Sequence, residues 1–312
     1  MANDKVLIFA ADKKIVVMEH HHHAAPAQSL NGIVVLSIIL NGLFVLIEAG
    51  VGLWQNSLSL LSDAGHNLSD VFSLVLVLIA FRLAKVQRNE RFTYGYRKST
   101  ILISLLNAVI LLVAVGAIVI ESIHKFSEPA EVNGIAVSWT AGVGILINGA
   151  TALLLMRGQK SDLNVRGAFL HMAADTLVSI GVVISGIIIH CTGWTIIDPI
   201  VSLVIAVVIL LSTWELLSDS LRLAVDGIPE GVELHEIEQL LVENEHVKET
   251  HHIHVWAIST TETALTAHIV IDDLSHWPQV SERLKHILAE HGISHATLEP
   301  ETADSHCHHR EC

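Results

Sequence analysis

The sequence predicts a helical membrane domain of six spans followed by a small α+β domain outside the bilayer. Three observations predict it. The 312 residues are 51% hydrophobic with a mean hydropathy of +0.54, too apolar for an ordinary soluble domain. The apolar residues fall in blocks of roughly 20, the length that crosses a bilayer as helix. After Leu223 the composition turns polar and stays so. The formal charge of −14 lies mostly beyond Asp226, and an acidic chain of this kind has no footprint for nucleic acid. Three cysteines, Cys191, Cys307 and Cys312, make no disulfide framework. No long apolar core precedes residue 30, so no cleaved signal is expected.

Hydropathy places the spans at 30–54, 58–83, 100–124, 135–156, 162–189 and 196–217. The fifth begins polar, with Asn164 and Arg166, and Ser161 is a candidate N-cap for it. Arg82, Lys85, Arg88, Arg91, Arg97 and Lys98 sit between the second and third spans. Arg157, Lys160 and Arg166 sit between the fourth and fifth. The first-to-second and fifth-to-sixth loops carry no charge, and the third-to-fourth has only Lys125, offset by acids. Positive charge stays on the cytoplasmic side, so both basic loops and both termini are expected there. The domains are then a tail at 1–29 with a histidine run at 20–23, a membrane domain at 30–223, a cytoplasmic domain at 224–302 and a tail at 303–312.

Two spans carry the same motif. The second contains His66 and Asp70, the fifth His171 and Asp175. Residues four apart share a helix face, so each motif offers a nitrogen and a carboxylate to one neighbour. Together they supply four ligands, enough for tetrahedral Zn²⁺. At about 1.5 Å per residue, both motifs fall near the middle of a hydrocarbon core ~30 Å thick, on helices of opposite direction. A single membrane histidine is equally explained by packing against a serine or carbonyl; two matched motifs at one depth favour a shared ion. Ionisable groups at that depth are functional by default. Asn41 and Glu48 share one face of the first span, with Glu48 a proton relay, an orienting group or a packing residue. Asn67, Asn107 and Asn148 read as interhelical hydrogen-bonding residues.

The remainder reads α-β-β-α-β: a helix at 232–243, strands at 252–259 and 263–271, a helix at 277–290 closed by Gly292, and a strand at 294–298. An antiparallel sheet covered on one face is expected, small enough that pairing with a second copy is favoured. Histidines crowd it, and the tail adds His306, Cys307, His308, His309 and Cys312. Imidazole and thiolate both suit Zn²⁺, although the tail spacing fits no standard finger.

With these motifs in place, the chain resembles the cation diffusion facilitator family, in its zinc-exporting bacterial branch. The resemblance covers 30–301. It rests on residues 62–70 (Ser-Asp-Ala-Gly-His-Asn-Leu-Ser-Asp), 92–97 (Phe-Thr-Tyr-Gly-Tyr-Arg), the 171/175 pair, 226–232 (Asp-Gly-Ile-Pro-Glu-Gly-Val) and 251–256 (His-His-Ile-His-Val-Trp). It implies a homodimer with a metallochaperone-like (ferredoxin-like) cytoplasmic domain and M²⁺/H⁺ antiport out of the cytoplasm; the uncharged outer loops favour a bacterial inner membrane. It also implies a transport site of His66, Asp70, His171 and Asp175. His251, His268 and Glu301 match regulatory metal positions, and Glu299 stands where some members carry histidine. His66, in place of aspartate, favours zinc over Co²⁺, Cd²⁺ or Ni²⁺. The second-to-third loop has no histidine, so a loop zinc site is not expected. Protons are the implied counter-ion, with transport by alternating access. A membrane metalloenzyme is the competing class, but no His-Glu-x-x-His motif is present.

Overall fold

The computed structural model describes residues 27–54, 58–127, 134–194 and 196–304. The histidine run at 20–23 and the tail cysteines Cys307 and Cys312 lie outside the described residues, as does the side chain of His66. Six long helices come first: α1 (Ala27–Trp54), α2 (Leu58–Ala84), α3 (Ser99–Ser127), α4 (Gly134–Leu155), α5 (Leu163–Thr192) and α6 (Ile197–Ala224). All but α4 are long and apolar enough to cross a membrane; α4 has 22 residues, with a described apolar stretch at Gly142–Leu155. Large apolar side chains such as Ile39, Leu43, Leu46 and Ile47 on α1 and Val204 and Leu211 on α6 point outward. That is the expected dressing of a helix whose solvent is lipid.

Helices α1, α2, α4 and α5 share one core, built from Leu30 and Val34, Leu74 and Val77, Leu155, and Val165, Ala168 and Met172. Buried polar residues tie the same helices. Asn41 Nδ2 donates to Thr151 Oγ1 across α1 and α4 at 2.9 Å, and Asn67 Nδ2 donates to Glu48 Oε2 across α2 and α1 at 2.8 Å. Such bonds hold helices together where lipid supplies no hydrophobic drive. Helices α3 and α6 pack as a second pair, joined by a Ser104–Ser220 hydroxyl contact of 2.9 Å. That pair meets α5 through Val115, Ala174, Ala206 and Ile209. Gly181 lets α5 and α6 close: an added Cβ would lie 2.5 Å from Ile205 Cδ1.

The fifth helix is capped by Asp162 rather than Ser161. Asp162 Oδ1 accepts from the amides of Asn164 and Val165 at 2.7 and 3.2 Å, while the Ser161 hydroxyl donates back to Gly158 O. Arg166, counted among the loop charges, instead pairs with Glu215 and Asp219 of α6 at 2.7 and 3.0 Å.

The second domain runs α7 (Leu234–Val242), β1 (Val247–Ala257), β2 (Thr263–Ile271), a 3₁₀ turn (Leu274–His276), α8 (Trp277–Glu290) and β3 (Ile293–Glu301). The element order is the expected one. Gly292 at φ +82° closes α8 as expected, because the left-handed region suits a residue without Cβ. The sheet is mixed, and here the sequence expectation of an antiparallel sheet fails. The strands lie in the order β1-β2-β3; β1–β2 is antiparallel but β2–β3 is parallel. The physical reason is the connection: α8 carries the chain back along the sheet before β3 begins, and a helical crossover returns a strand in the same direction. One sheet face packs on α7 and α8 through Leu241, Leu265, Ile269, Leu284 and Leu288.

The two domains meet at a polar junction with a small apolar centre of Ile101, Leu223 and Ala257. Lys98 Nζ pairs with Asp226 at 2.5 Å and donates to Ala257 O at 3.2 Å. Arg97 pairs with Glu262 at 2.5 Å. The Thr260 hydroxyl donates to Asp162 Oδ2 at 2.7 Å, and its amide donates to Thr100 Oγ1 at 3.0 Å.

Candidate metal centre

The intramembrane centre grows from two helical stripes. On α2, Asp70, Leu74 and Val77 follow one another at helical spacing and all are buried. On α5, Ala168, His171 and Met172 do the same, with Asp175 one turn further. The apolar members interlock in the α1/α2/α4/α5 core and bring the polar members together. His171 Nε2 lies 2.7 Å from Asp70 Oδ1 and 3.7 Å from Asp175 Oδ2. The Asp70 side chain is 1% exposed and that of His171 8%. One ligand atom from each of Asp70, His171 and Asp175 falls within 4.8 Å of the others. Three of the four expected ligands therefore converge. The fourth, His66, belongs to α2 one turn before Asp70, with its side chain outside the described residues.

Two carboxylates and an imidazole form a hard-to-borderline set suited to Zn²⁺ and its divalent neighbours. A cation also offsets the cost of holding carboxylates in a dry interior. Glu48, 4% exposed, joins the neighbourhood through Asn67, which adjoins His66. Of the roles open to it, the helix-packing bond is present.

The second centre is set by strand register. His251 lies directly opposite His268 on β1 and β2, and β2 places His268 beside Glu299 and Val270 beside Glu301 on β3. His268 Nδ1 lies 2.5 Å from Glu301 Oε1, and His251 Nε2 lies 3.3 Å from Glu301 Oε2. All three expected residues meet, with ligand atoms within 4.8 Å. Glu299 approaches His268 Nε2 at 3.6 Å, so the glutamate stands beside the cluster.

The sequence reading did not bring His252 beside this cluster. Its ring centroid is 5.1 Å from that of His268 and 5.4 Å from that of His251. Neighbours on a strand normally face opposite ways, but β1 shifts register between His251 and His254 and His252 adopts φ +51°. Burial, and then the nearby His268, His251 and His254, hold the His252 imidazole below its usual titration range. The only signal in the sequence was the unbroken His-His pair.

A helical membrane domain with a buried His/Asp cluster at mid-helix, carrying a sheet domain with its own His/Glu cluster, defines a multi-pass membrane protein that handles metal ions. Residues 34–223 match the cation efflux transmembrane domain, and residues 229–303 match the cytoplasmic domain of cation efflux proteins. The chain is 34% identical over 281 residues to the "Cadmium, cobalt and zinc/H(+)-K(+) antiporter" of Bacillus subtilis, covering 88% of this chain and 90% of the relative. It is 36% identical over 273 residues to the "Zinc transporter ZitB" of Yersinia pestis, covering 86% of each. It is 34% identical over 270 residues to the "Metal cation efflux system protein CzcD" of Cupriavidus metallidurans, covering 86% and 85%. The chain belongs to the cation efflux (cation diffusion facilitator) family. It is a transporter, which sets the metalloenzyme alternative aside.

Proposed function

We propose that the chain exports divalent metal cations, Zn²⁺ foremost, from the cytoplasm in exchange for protons, as a homodimer working by alternating access. Its termini lie on the cytoplasmic side of a bacterial plasma membrane. His66, Asp70, His171 and Asp175 bind the transported ion; His251, His268 and Glu301 bind regulatory zinc. Cys307 and Cys312 in the tail are further candidate ligands.

One observation carries the antiport reading: the 2.7 Å contact between His171 Nε2 and Asp70 Oδ1. A proton shared there occupies the lone pairs that an ion would need. Imidazole binds metal only when neutral, and its ordinary pKa of about 6.5 lies close to cellular pH. Proton and metal therefore compete for the same atoms. A site open to neutral cytoplasm loads metal as protons leave, and the same site open to a more acidic exterior takes protons and lets metal go. Opening to one side at a time requires two arrangements of helices around a fixed site. The division into a four-helix unit and an α3/α6 pair supports such rocking.

The test is proton flux driven by a Zn²⁺ gradient in vesicles containing the purified protein. Asp175→Ala abolishes it under this reading; flux at the wild-type level would overturn the assignment. Repeating the assay with Co²⁺, Cd²⁺ and Ni²⁺ decides between a zinc-selective and a broader exporter, the breadth that the name of the Bacillus subtilis relative carries.

A further inference from the structure

A third cluster of metal-ligating side chains stands apart from both centres. His246 immediately precedes β1, Asp272 follows β2, and His276 ends the 3₁₀ turn. His246 Nδ1 lies 2.9 Å from Asp272 Oδ2, and His276 Nδ1 lies 3.2 Å from Asp272 Oδ1. The two imidazoles stack with centroids 3.8 Å apart and planes 25° from parallel. We propose that His246, Asp272 and His276 form a further binding site for a borderline divalent transition ion such as Zn²⁺, at the outer end of the β1–β2 ladder.

Geometry supports an ion here over a pair of ordinary surface contacts. Zinc bound at about 2.0–2.1 Å in a tetrahedron keeps its ligands roughly 3.3 Å from one another. The two Nδ1–carboxylate distances are already close to that spacing, and all three ligand atoms lie within 4.8 Å. The side chains are 32%, 38% and 40% exposed, so a water can fill the fourth position and an ion can arrive from solvent.

The backbone around the cluster is firmly tied. His246 adopts φ +72°, a conformation that costs a residue with Cβ roughly 1–2 kcal/mol and that glycine would take freely. The Asp272 amide holds it by donating to His246 O at 3.1 Å. Asp273 accepts from the Ser275 amide at 2.8 Å, and its carbonyl accepts from the His276 amide at 3.1 Å. Those bonds fix the turn that carries His276. The Asp273 carboxylate is engaged in capping the turn, which leaves Asp272 to face both imidazoles. Their hydrogen bonds hold the Asp272 carboxyl down at about 2, so it is a ready anionic ligand at neutral pH. His251 lies five positions beyond His246, roughly 16 Å along an extended strand. One ion therefore cannot serve both clusters.

The test is equilibrium dialysis of the full-length protein in lipid nanodiscs against buffered Zn²⁺, with bound zinc counted per chain by elemental analysis. Asp272→Asn and His276→Gln are each expected to bind one Zn²⁺ fewer than wild type at saturation. Adding His251→Ala and His268→Ala to either is expected to remove a further ion. The zinc count is read without transport, so failure of the transport assignment leaves this result untouched. An unchanged zinc count in His276→Gln, an exposed position where glutamine is sterically tolerated, would overturn the proposal even if Asp272→Asn fails to fold. An unchanged count in both variants does the same.

Discussion

Asp70 is the most enclosed polar group of the intramembrane centre, and its neighbours explain how a carboxylate is kept there. Leu74 and Val77 continue its stripe into the core, and Met172 beside His171 is fully buried. The Asn67–Glu48 bond belongs to the same layer. Removing its donor with Asn67→Ala should destabilise the α1–α2 contact by about 1 kcal/mol, read as a lower melting temperature in detergent. A second residue-scale prediction concerns pH. The neighbouring His246 and His276 hold Asp272 down to about 2, so its contribution to stability is present above the ordinary carboxyl value of 3.8. It is lost as pH falls through about 2. Hydrogen bonding to Asp272 raises His246 above 6.5. That contribution is full below 6.5 and disappears as pH rises through the raised value. In chelator, Asp272→Asn should therefore lower the melting temperature more at pH 5 than at pH 9, and an equal difference at both would contradict the pairing.

At the scale of elements, register and turns decide which of many histidines matter. The β1 irregularity turns His251 and His252 toward one partner, and the parallel β3 brings both Glu299 and Glu301 alongside β2. Neither follows from a list of residues. The loop between α2 and α3 has a comparable device. Gly95 adopts φ +68°, and a Cβ there would stand 2.8 Å from the backbone oxygen of Val86. That explains the glycine in the Phe-Thr-Tyr-Gly-Tyr-Arg stretch: only a residue without Cβ lets the turn fold back on the end of α2 before Arg97 and Lys98 reach the second domain. Gly95→Ala should destabilise the protein by at least about 1–2 kcal/mol from backbone conformation alone, with the clash in addition. Thermal unfolding in detergent checks this, and wild-type stability would contradict it.

In the whole molecule, the junction is where the two domains can exchange information. The pairs Lys98–Asp226 and Arg97–Glu262 are well exposed, so each contributes at most about 1 kcal/mol. The Thr260–Asp162 bond is different in kind, because Asp162 also caps α5, the helix that carries His171 and Asp175. A change in the sheet domain at Thr260 therefore reaches the end of the helix that carries His171 and Asp175 through one carboxylate. Thr260→Val should leave the intramembrane ligands in place and weaken the response of transport to cytosolic zinc. Combined His251→Ala and His268→Ala should shift that zinc dependence as well. Flux titrated against zinc on the cytoplasmic side measures both; curves identical to wild type would make the second domain purely structural.

Hydropathy and charge were enough to read six helices in order, because a span must be apolar along its whole length. The approach of Asp70 to His171 and Asp175 was legible for a related reason: the 3.6-residue period sets one polar face on each of the two helices. The helix at 277–290 and its glycine stop were legible from local chemistry alone. Tertiary structure decided what depends on distant partners. It made Asp162 rather than Ser161 the cap of α5, since a carboxylate with two amide donors and a threonine hydroxyl outcompetes a serine turned back to its own loop. It turned the third strand parallel, brought the His252 ring beside those of His251 and His268 through a bulge, and assembled His246, Asp272 and His276 from segments up to 30 residues apart. Local periodicity fixes which way a side chain faces on its own element. Register, crossovers and strained turns then determine which faces meet, and these are settled only when the elements pack.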